Sequence, residues 1–235
     1  MSDLIRVALV AEGRTDKVVI EAAIESVLGA RSFVLTQLQP EESLPFNQLR
    51  GGWGGVYHWC RQAALRAGGV LTNDPLFVTF DLLILHLDAD VAEKQYGDAG
   101  IEPTLNNLPC VQNCPPPELT TNQLRAVLLG WAGQAHLPPR TVLCTPSKST
   151  EAWVLSALYP LDPVVISGNL ECYPTPALQL QSKKKKGRLV SGGKKIVEMY
   201  HQRRSEITAA WPQVRDCCTE AHRFTSDLEV LVPPA

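Results

Sequence analysis

Residues 7–13 read VALVAEG, and residues 82–90 read LLILHLDAD. Each segment is an apolar run that ends in carboxylates, Glu12 in the first and Asp88 and Asp90 in the second. Continuous apolar runs are typical of strands buried in a parallel sheet, and ligands of open α/β folds bind just beyond the carboxyl ends of such strands. Gathered carboxylates repel one another unless a proton or a divalent cation compensates them. The two segments therefore predict a site for Mg²⁺ or Mn²⁺, which favour oxygen ligands.

The order of strand, turn and helix recurs along the first 160 residues. We predict strands at residues 6–11, 32–38, 82–87 and 141–144, and helices at residues 17–28, 56–67, 120–134 and from residue 151 onward. Alternating strands and helices favour a mainly parallel sheet with helices on both faces, so the predicted fold class is α/β and Rossmann-like. We assign the core to residues 1–160. Residues 161–235 are predicted to form a basic helical extension packed on that core, with helices at 193–203 and 205–220.

The composition is that of an ordinary globular chain. Of its 235 residues, 45% are apolar and 20% are charged. No window contains the roughly 18 uncharged apolar residues that a membrane span needs, and no signal peptide is apparent, so we expect a cytoplasmic protein without membrane association. The seven cysteines are an odd number, which in such a protein favours reduced thiols.

Positive charge is concentrated in one segment. Residues 181–204 carry nine lysines and arginines and one glutamate, a net charge of +8, which leaves −10 for the remainder of a chain whose total is −2. Such a segment is either a solvated face or a surface that contacts a polyanion, and we predict that it contacts nucleic acid. The predicted contact residues are Lys183, Lys184, Lys185, Lys186, Arg188, Lys194 and Lys195.

The arrangement of acids resembles a TOPRIM domain, the Rossmann-like fold of topoisomerases, bacterial primases and overcoming-lysogenization-defect nucleases. These domains present a glutamate after the first strand and Asp-x-Asp after a later strand to bind magnesium. Over nearly its whole length the chain also resembles a standalone, defence-associated bacterial TOPRIM-like family, in Glu-Gly-x-Thr-Glu/Asp, Asp-Ala-Asp and Glu-Ala-Trp-Leu/Val-Leu. These motifs correspond to residues 12–16, 88–90 and 151–155. One departure is Asp16, where many relatives carry glutamate.

The resemblance implies a nuclease that depends on Mg²⁺ or Mn²⁺ and hydrolyses DNA or RNA. Glu12, Asp88 and Asp90 would be its metal ligands and catalytic residues. Lys148 matches by position a lysine that helps to stabilise phosphate charge in related nucleases, and Glu151 belongs to the third motif, so both are expected in the site. The resemblance further implies a partner ATPase and a role in phage defence, by analogy alone.

Other readings of the same residues stay open. The chain could be a non-catalytic metal- or partner-binding module of a larger complex, or a phosphotransferase acting on nucleotides or small phosphates. The choice between DNA and RNA and the presence of a homo-oligomer are also open. We interpret Glu93 and Asp98 as surface acids, His86 as a hydrogen-bonded core histidine and Trp153 as a core residue.

Overall fold

A sheet of four parallel strands forms the centre of the fold. The computed structural model describes residues 4–40, 51–102, 106–183 and 188–232. The strands are β1 (Ile5–Val10), β2 (Phe33–Gln39), β3 (Leu82–His86) and β4 (Thr141–Cys144), and their order in the sheet is β2-β1-β3-β4. Strand β1 pairs with β2 on one side and β3 on the other, in parallel register. The predicted α/β, Rossmann-like fold class is confirmed.

Helices cover both faces of this sheet. The α-helices are α1 (Arg14–Leu28), α2 (Trp53–Arg66), α3 (Leu76–Thr79), α4 (Glu118–Trp131), α5 (Thr150–Leu158), α6 (Pro163–Ile166), α7 (Pro176–Gln181), α8 (Val197–Cys217) and α9 (Thr219–Leu231). Short 3₁₀ turns lie at Leu71–Asn73, Ala89–Glu93, Tyr96–Ala99 and Leu170–Cys172. A small antiparallel hairpin consists of β5 (Val190–Ser191) and β6 (Lys194–Lys195). Within the described ranges, none of the helices combines the length and the apolar character needed to cross a bilayer.

One face of the sheet packs against α1, α5, α8 and α9. Alternate strand residues such as Leu9 and Ile84 point to this face and are fully buried. Trp153 of α5 stacks on Phe224 with ring centroids 6.1 Å apart and meets Trp211 edge-on at 5.4 Å. The predicted core position of Trp153 is confirmed. Residues on both sides of position 160 therefore share one hydrophobic core.

The opposite face packs against α2, α4 and the 3₁₀ turns. Its strand residues include Ala8, Leu83 and Leu85, and its largest buried side chain is Trp131. The indole Nε1 of Trp131 donates a hydrogen bond to the hydroxyl of Tyr96 over 2.8 Å, so its polar atom is satisfied. The two apolar faces explain why both β1 and β3 read as continuous apolar runs.

The predicted break in the C-terminal helices, after residue 203, is wrong. The single helix α8 runs through Ser205, and a further helix, α9, follows it. Buried residues recur along α8 at helical spacing, namely Tyr200, Ile207, Trp211 and Val214. This apolar stripe outweighs the weak helix propensity of a single exposed serine.

The prediction that all cysteines are reduced is also wrong. Cys114 and Cys172 form a disulfide with Cα atoms 5.5 Å apart. The other five cysteines are free thiols. The disulfide links the chain before α4 to the 3₁₀ turn that precedes α7.

Candidate metal centre

Glu12 lies just beyond the carboxyl end of β1, in a turn that glycines make possible. A Cβ atom on Gly13 would lie 3.2 Å from Oδ2 of Asp16, so a side chain there would require the Asp16 carboxylate to shift by a few tenths of an ångström. The main-chain N–H of Gly52, a residue with φ of 79°, donates to the carbonyl of Glu12 over 2.8 Å. The main-chain N–H of Asp88 donates to Oε1 of Glu12 over 2.8 Å. Both the backbone and the carboxylate of Glu12 are therefore held in place.

Main-chain hydrogen bonds continue past the ends of β3 and β4 and fix the segment that carries Asp88. Ala89 N–H donates to the carbonyl of Pro146, and Asp90 N–H donates to the carbonyl of Lys148, each over 3.0 Å. Lys148 has φ of 62°, in the left-handed region that is costly for a residue with a side chain. The loop after β4 thus keeps an unfavourable backbone conformation while it holds the Asp88 segment.

Glu12, His86 and Asp88 form a group of three ligand-type side chains. One ligand atom from each lies within 4.8 Å of those of the other two. His86 is fully buried, and its Nε2 lies 3.2 Å from Oδ1 of Asp88 in a geometry that does not form a hydrogen bond. Neither ring nitrogen has a hydrogen-bond partner in the described part of the chain. The expected core position of His86 is confirmed, and the acid nearest to its Nε2, Asp88, belongs to the same three-residue group.

Burial and neighbouring carboxylates raise the pKa values of the two acids of this group. Burial, and then the neighbouring carboxylate of Asp88, raises the pKa of Glu12 well above its usual range. Burial, and then the carboxylate of Asp16, raises the pKa of Asp88 to about 7. Burial lowers the pKa of His86, but the carboxylates of Asp88 and Asp16 raise it above its usual value. The group therefore favours a bound proton or cation.

A second pair of acids, Asp16 and Glu151, is compensated from within the chain. Lys195 Nζ lies 2.8 Å from Oε1 of Glu151 and 3.7 Å from Oδ1 of Asp16. Tyr200 OH donates to Oε1 of Glu151 over 2.9 Å, and Thr150 Oγ1 donates to Oδ1 of Asp16 over 2.7 Å. Burial raises the pKa of Asp16, but Lys195 and further contacts bring it below its usual value. Burial lowers the pKa of Lys195, whereas Asp16 and Glu151 raise it well above its usual range.

The remaining predicted site residues take different positions. Asp90 is exposed and does not belong to the group formed by Glu12, His86 and Asp88. Lys148 forms an ion pair with the exposed Glu93, over 2.6 Å. Glu151 is fully buried in contact with Lys195 rather than in the three-residue group. The structure thus brings Glu12 and Asp88 together and leaves Asp90 and Lys148 at the rim.

The predicted nucleic-acid contact residues are also in different environments. Lys183 is paired with the buried Asp162, and Arg188 donates to the carbonyl of Lys183 over 3.3 Å. Lys194 is exposed, whereas its neighbour Lys195 points into the acid cluster. Lys184, Lys185 and Lys186 lie outside the described residues. The basic hairpin is therefore attached to the candidate site through Lys195.

Buried acids elsewhere in this part of the fold have partners of their own. The carboxylate of Glu171 accepts hydrogen bonds from the N–H groups of Thr219 and Glu220, over 2.6 and 3.1 Å, and thus satisfies the first N–H groups of α9. Burial raises the pKa of Glu171 to about 7. Glu220 Oε1 accepts a hydrogen bond from Thr121 over 2.6 Å. These acids stabilise the packing of α9 rather than add to the three-residue group.

Sequence reasoning missed two residues of the site, His86 and Lys195. His86 carries a usable signal, because residues two apart on a strand share a face and Asp88 follows it by two. Lys195 carries no such signal, because it reaches Glu151 through long-range packing. Asp16 was noted as part of the first motif, and the structure adds that it is buried beside Lys195.

Two carboxylates and a buried imidazole are a donor set that fits a divalent cation. Glu12, Asp88 and His86 are therefore the residues in the described ranges that would hold one. Comparisons of the chain with protein-family models, with curated proteins and with solved structures find no match.

Proposed function

We propose that this chain is a metal-dependent nuclease of the TOPRIM type, which uses Mg²⁺ or Mn²⁺ to hydrolyse phosphodiester bonds in DNA or RNA. One observation carries the proposal. Glu12, Asp88 and His86 converge at the carboxyl ends of two neighbouring parallel strands, with ligand atoms within 4.8 Å of one another. Ligands of open α/β sheets bind at this edge, and a cation there would compensate the two acids.

A divalent ion held by these residues would supply positive charge to the phosphoryl oxygens and lower the pKa of a bound water. The backbone and the carboxylates of the site would contribute in different ways. The N–H of Asp88 orients the Glu12 carboxylate over 2.8 Å. Burial, and then the carboxylate of Asp88, raises the pKa of Glu12, so a cation held by the group would be needed to keep both carboxylates ionised.

Positive side chains near this edge support a polyanionic substrate. Arg14, the first residue of α1, is exposed two residues after Glu12. Lys194 is exposed next to Lys195, whose ammonium group lies 2.8 Å from Glu151 in the site. Phosphate groups contact such lysines and arginines without regard to base sequence. These residues would contact the phosphate backbone of a nucleic acid and would not confer sequence specificity.

The partner ATPase and the role in phage defence remain part of this proposal through the family resemblance alone. In that arrangement the ATPase would control when the nuclease acts. Coexpression with the neighbouring gene product, followed by purification, tests this part separately from the chemistry.

A cleavage assay tests the proposed activity. Supercoiled plasmid, single-stranded DNA and tRNA are incubated with Mg²⁺ or Mn²⁺ and wild-type protein, Asp88→Asn or Glu12→Gln. Asp216→Ala is the matched control, because Asp216 is an exposed acid on α8. We expect cleavage by the wild type and the control and its loss in both site variants.

The outcomes of this assay distinguish the nuclease from the two alternative functions. Equal cleavage by wild type and Asp88→Asn would refute the assignment of this site. Metal binding without cleavage of any nucleic acid would favour a non-catalytic module. Turnover of nucleotides in place of polymers would favour a phosphotransferase.

A further inference from the structure

We infer that the centre formed by Glu12, Asp88 and His86 selects a first-row transition-metal ion such as Mn²⁺ over Mg²⁺, with the imidazole of His86 as a direct ligand. This inference rests on the proposed function, because it concerns the same metal centre. It adds the identity of the ion and a ligand that the strand-end acids alone do not supply.

The first support is the state of the imidazole. His86 has no exposed surface, its Nε2 lies 3.2 Å from Oδ1 of Asp88 without hydrogen-bond geometry, and its Nδ1 has no hydrogen-bond partner among the described residues. Buried polar atoms in folded proteins almost always have a partner, so an exception calls for a specific explanation. A metal ion bound to one ring nitrogen would account for that nitrogen and for the closeness of Nε2 to an acid of the same group.

The second support is the position of the three side chains. His86 and Asp88 are two residues apart on one extended segment, which directs their side chains to the same face. Glu12 reaches the same place from β1, whose Val10 pairs with Leu85 of β3. The resulting donor set of two oxygens and one nitrogen comes from two neighbouring strands, and its atoms lie within 4.8 Å of one another.

The chemistry of the donors then discriminates between ions. Mg²⁺ prefers oxygen ligands and retains several waters, whereas imidazole nitrogen suits ions of the first transition series. If three acids alone formed the centre, this basis for discrimination would be absent. The nitrogen of His86 shifts the preference toward Mn²⁺ and related ions.

The full chain, freed of metal by chelation, provides a direct test. Mn²⁺ binding is followed by electron paramagnetic resonance at about pH 8, with Mg²⁺ added as a competitor, and electron spin-echo measurements detect nitrogen bound to the ion. The variants are His86→Asn and the control His136→Asn, which alters an exposed histidine. The spin-echo measurement on wild-type protein keeps the test decisive even where His86→Asn fails to fold.

We expect Mn²⁺ to bind at least about tenfold more tightly than Mg²⁺ and to show a nitrogen coupling. His86→Asn should weaken Mn²⁺ binding at least about tenfold, since removal of residues that only support metal ligands already costs about 10–100-fold, and it should abolish the coupling. Mn²⁺ bound without nitrogen coupling, and displaced equally well by Mg²⁺, would overturn this inference and leave the proposed function intact. No binding of either ion would overturn both.

Discussion

Replacing Lys195 by methionine removes the cation that compensates two acids of the site. Its ammonium group lies 2.8 Å from Oε1 of Glu151 and 3.7 Å from Oδ1 of Asp16. Loss of one partner from a buried ion pair costs about 3–5 kcal/mol, because an uncompensated charge stays buried. The side chain of Lys195 is 31% exposed and that of Glu151 is 1% exposed. Water therefore screens part of the interaction, and we expect Lys195→Met to lower the free energy of unfolding by about 2–3 kcal/mol.

A second variant separates charge from packing. In the double variant Glu151→Gln/Lys195→Met the buried negative charge is absent, while the amide oxygen can still accept the hydrogen bond from Tyr200. We expect the double variant to recover at least half of the stability lost in Lys195→Met. Lys194→Met is the matched control on the same strand, and since Lys194 is exposed its effect should stay within about 0.5 kcal/mol.

Urea denaturation followed by tryptophan fluorescence measures these differences. Trp153 and Trp211 are fully buried in the same core as α5 and α8, so their emission reports the loss of that core. A Lys195→Met protein as stable as Lys194→Met would refute the view that Lys195 is an internal counterion. So would a double variant that is less stable than Lys195→Met alone.

Three further predictions concern charge, metal and thiols. In the metal-free protein, kept so by a chelator, burial and Asp16 raise the pKa of Asp88 to about 7. The contribution of Asp88 to folding stability is therefore complete below its unfolded-state pKa of about 4 and is lost as the pH rises through about 7. The melting temperature should therefore fall less steeply between pH 5 and pH 8 for Asp88→Asn than for the wild type. Equilibrium dialysis should find one Mn²⁺ per chain, and none in Glu12→Gln/Asp88→Asn. Without reductant, denatured protein should titrate as five thiols of seven, and Cys114→Ser/Cys172→Ser should lose about 2–4 kcal/mol, because the unfolded chain is no longer cross-linked.

Strands β3 and β4 could be predicted from local pattern because every residue in them is buried. Residues 82–87 and 141–144 contain the observed strands β3 and β4, and the acids at the ends of β1 and β3 follow directly from the run that precedes them. The break predicted after residue 203 failed for a physical reason. Ser205 is a weak helix former, but the buried stripe that includes Ile207 and Trp211 continues across it. Tertiary packing decided the helix there, and propensity did not.

The candidate site was harder to predict, because Lys195 reaches it through long-range packing. A run of lysines reads as one basic surface, yet Lys195 turns inward to Glu151 and Lys183 pairs with Asp162. Local charge cannot reveal which lysine finds a buried acid. His86 lies within an apolar strand and was interpreted as a core residue, although Asp88, two residues later on the same face, was a local signal that could have placed it in the site.

The four acids of the site form two pairs that differ in how their negative charge is compensated. Asp16 and Glu151 share Lys195, which the chain itself supplies. Glu12 and Asp88 form no ion pair with a described lysine or arginine, and burial with their neighbouring carboxylates raises the pKa of both. The second pair therefore favours a bound proton or cation, whereas Lys195 already compensates the first. Because Lys195 comes from the C-terminal hairpin, removal of the chain after residue 160 would leave the first pair uncompensated as well, so the acids of the sheet edge and the C-terminal segment depend on each other.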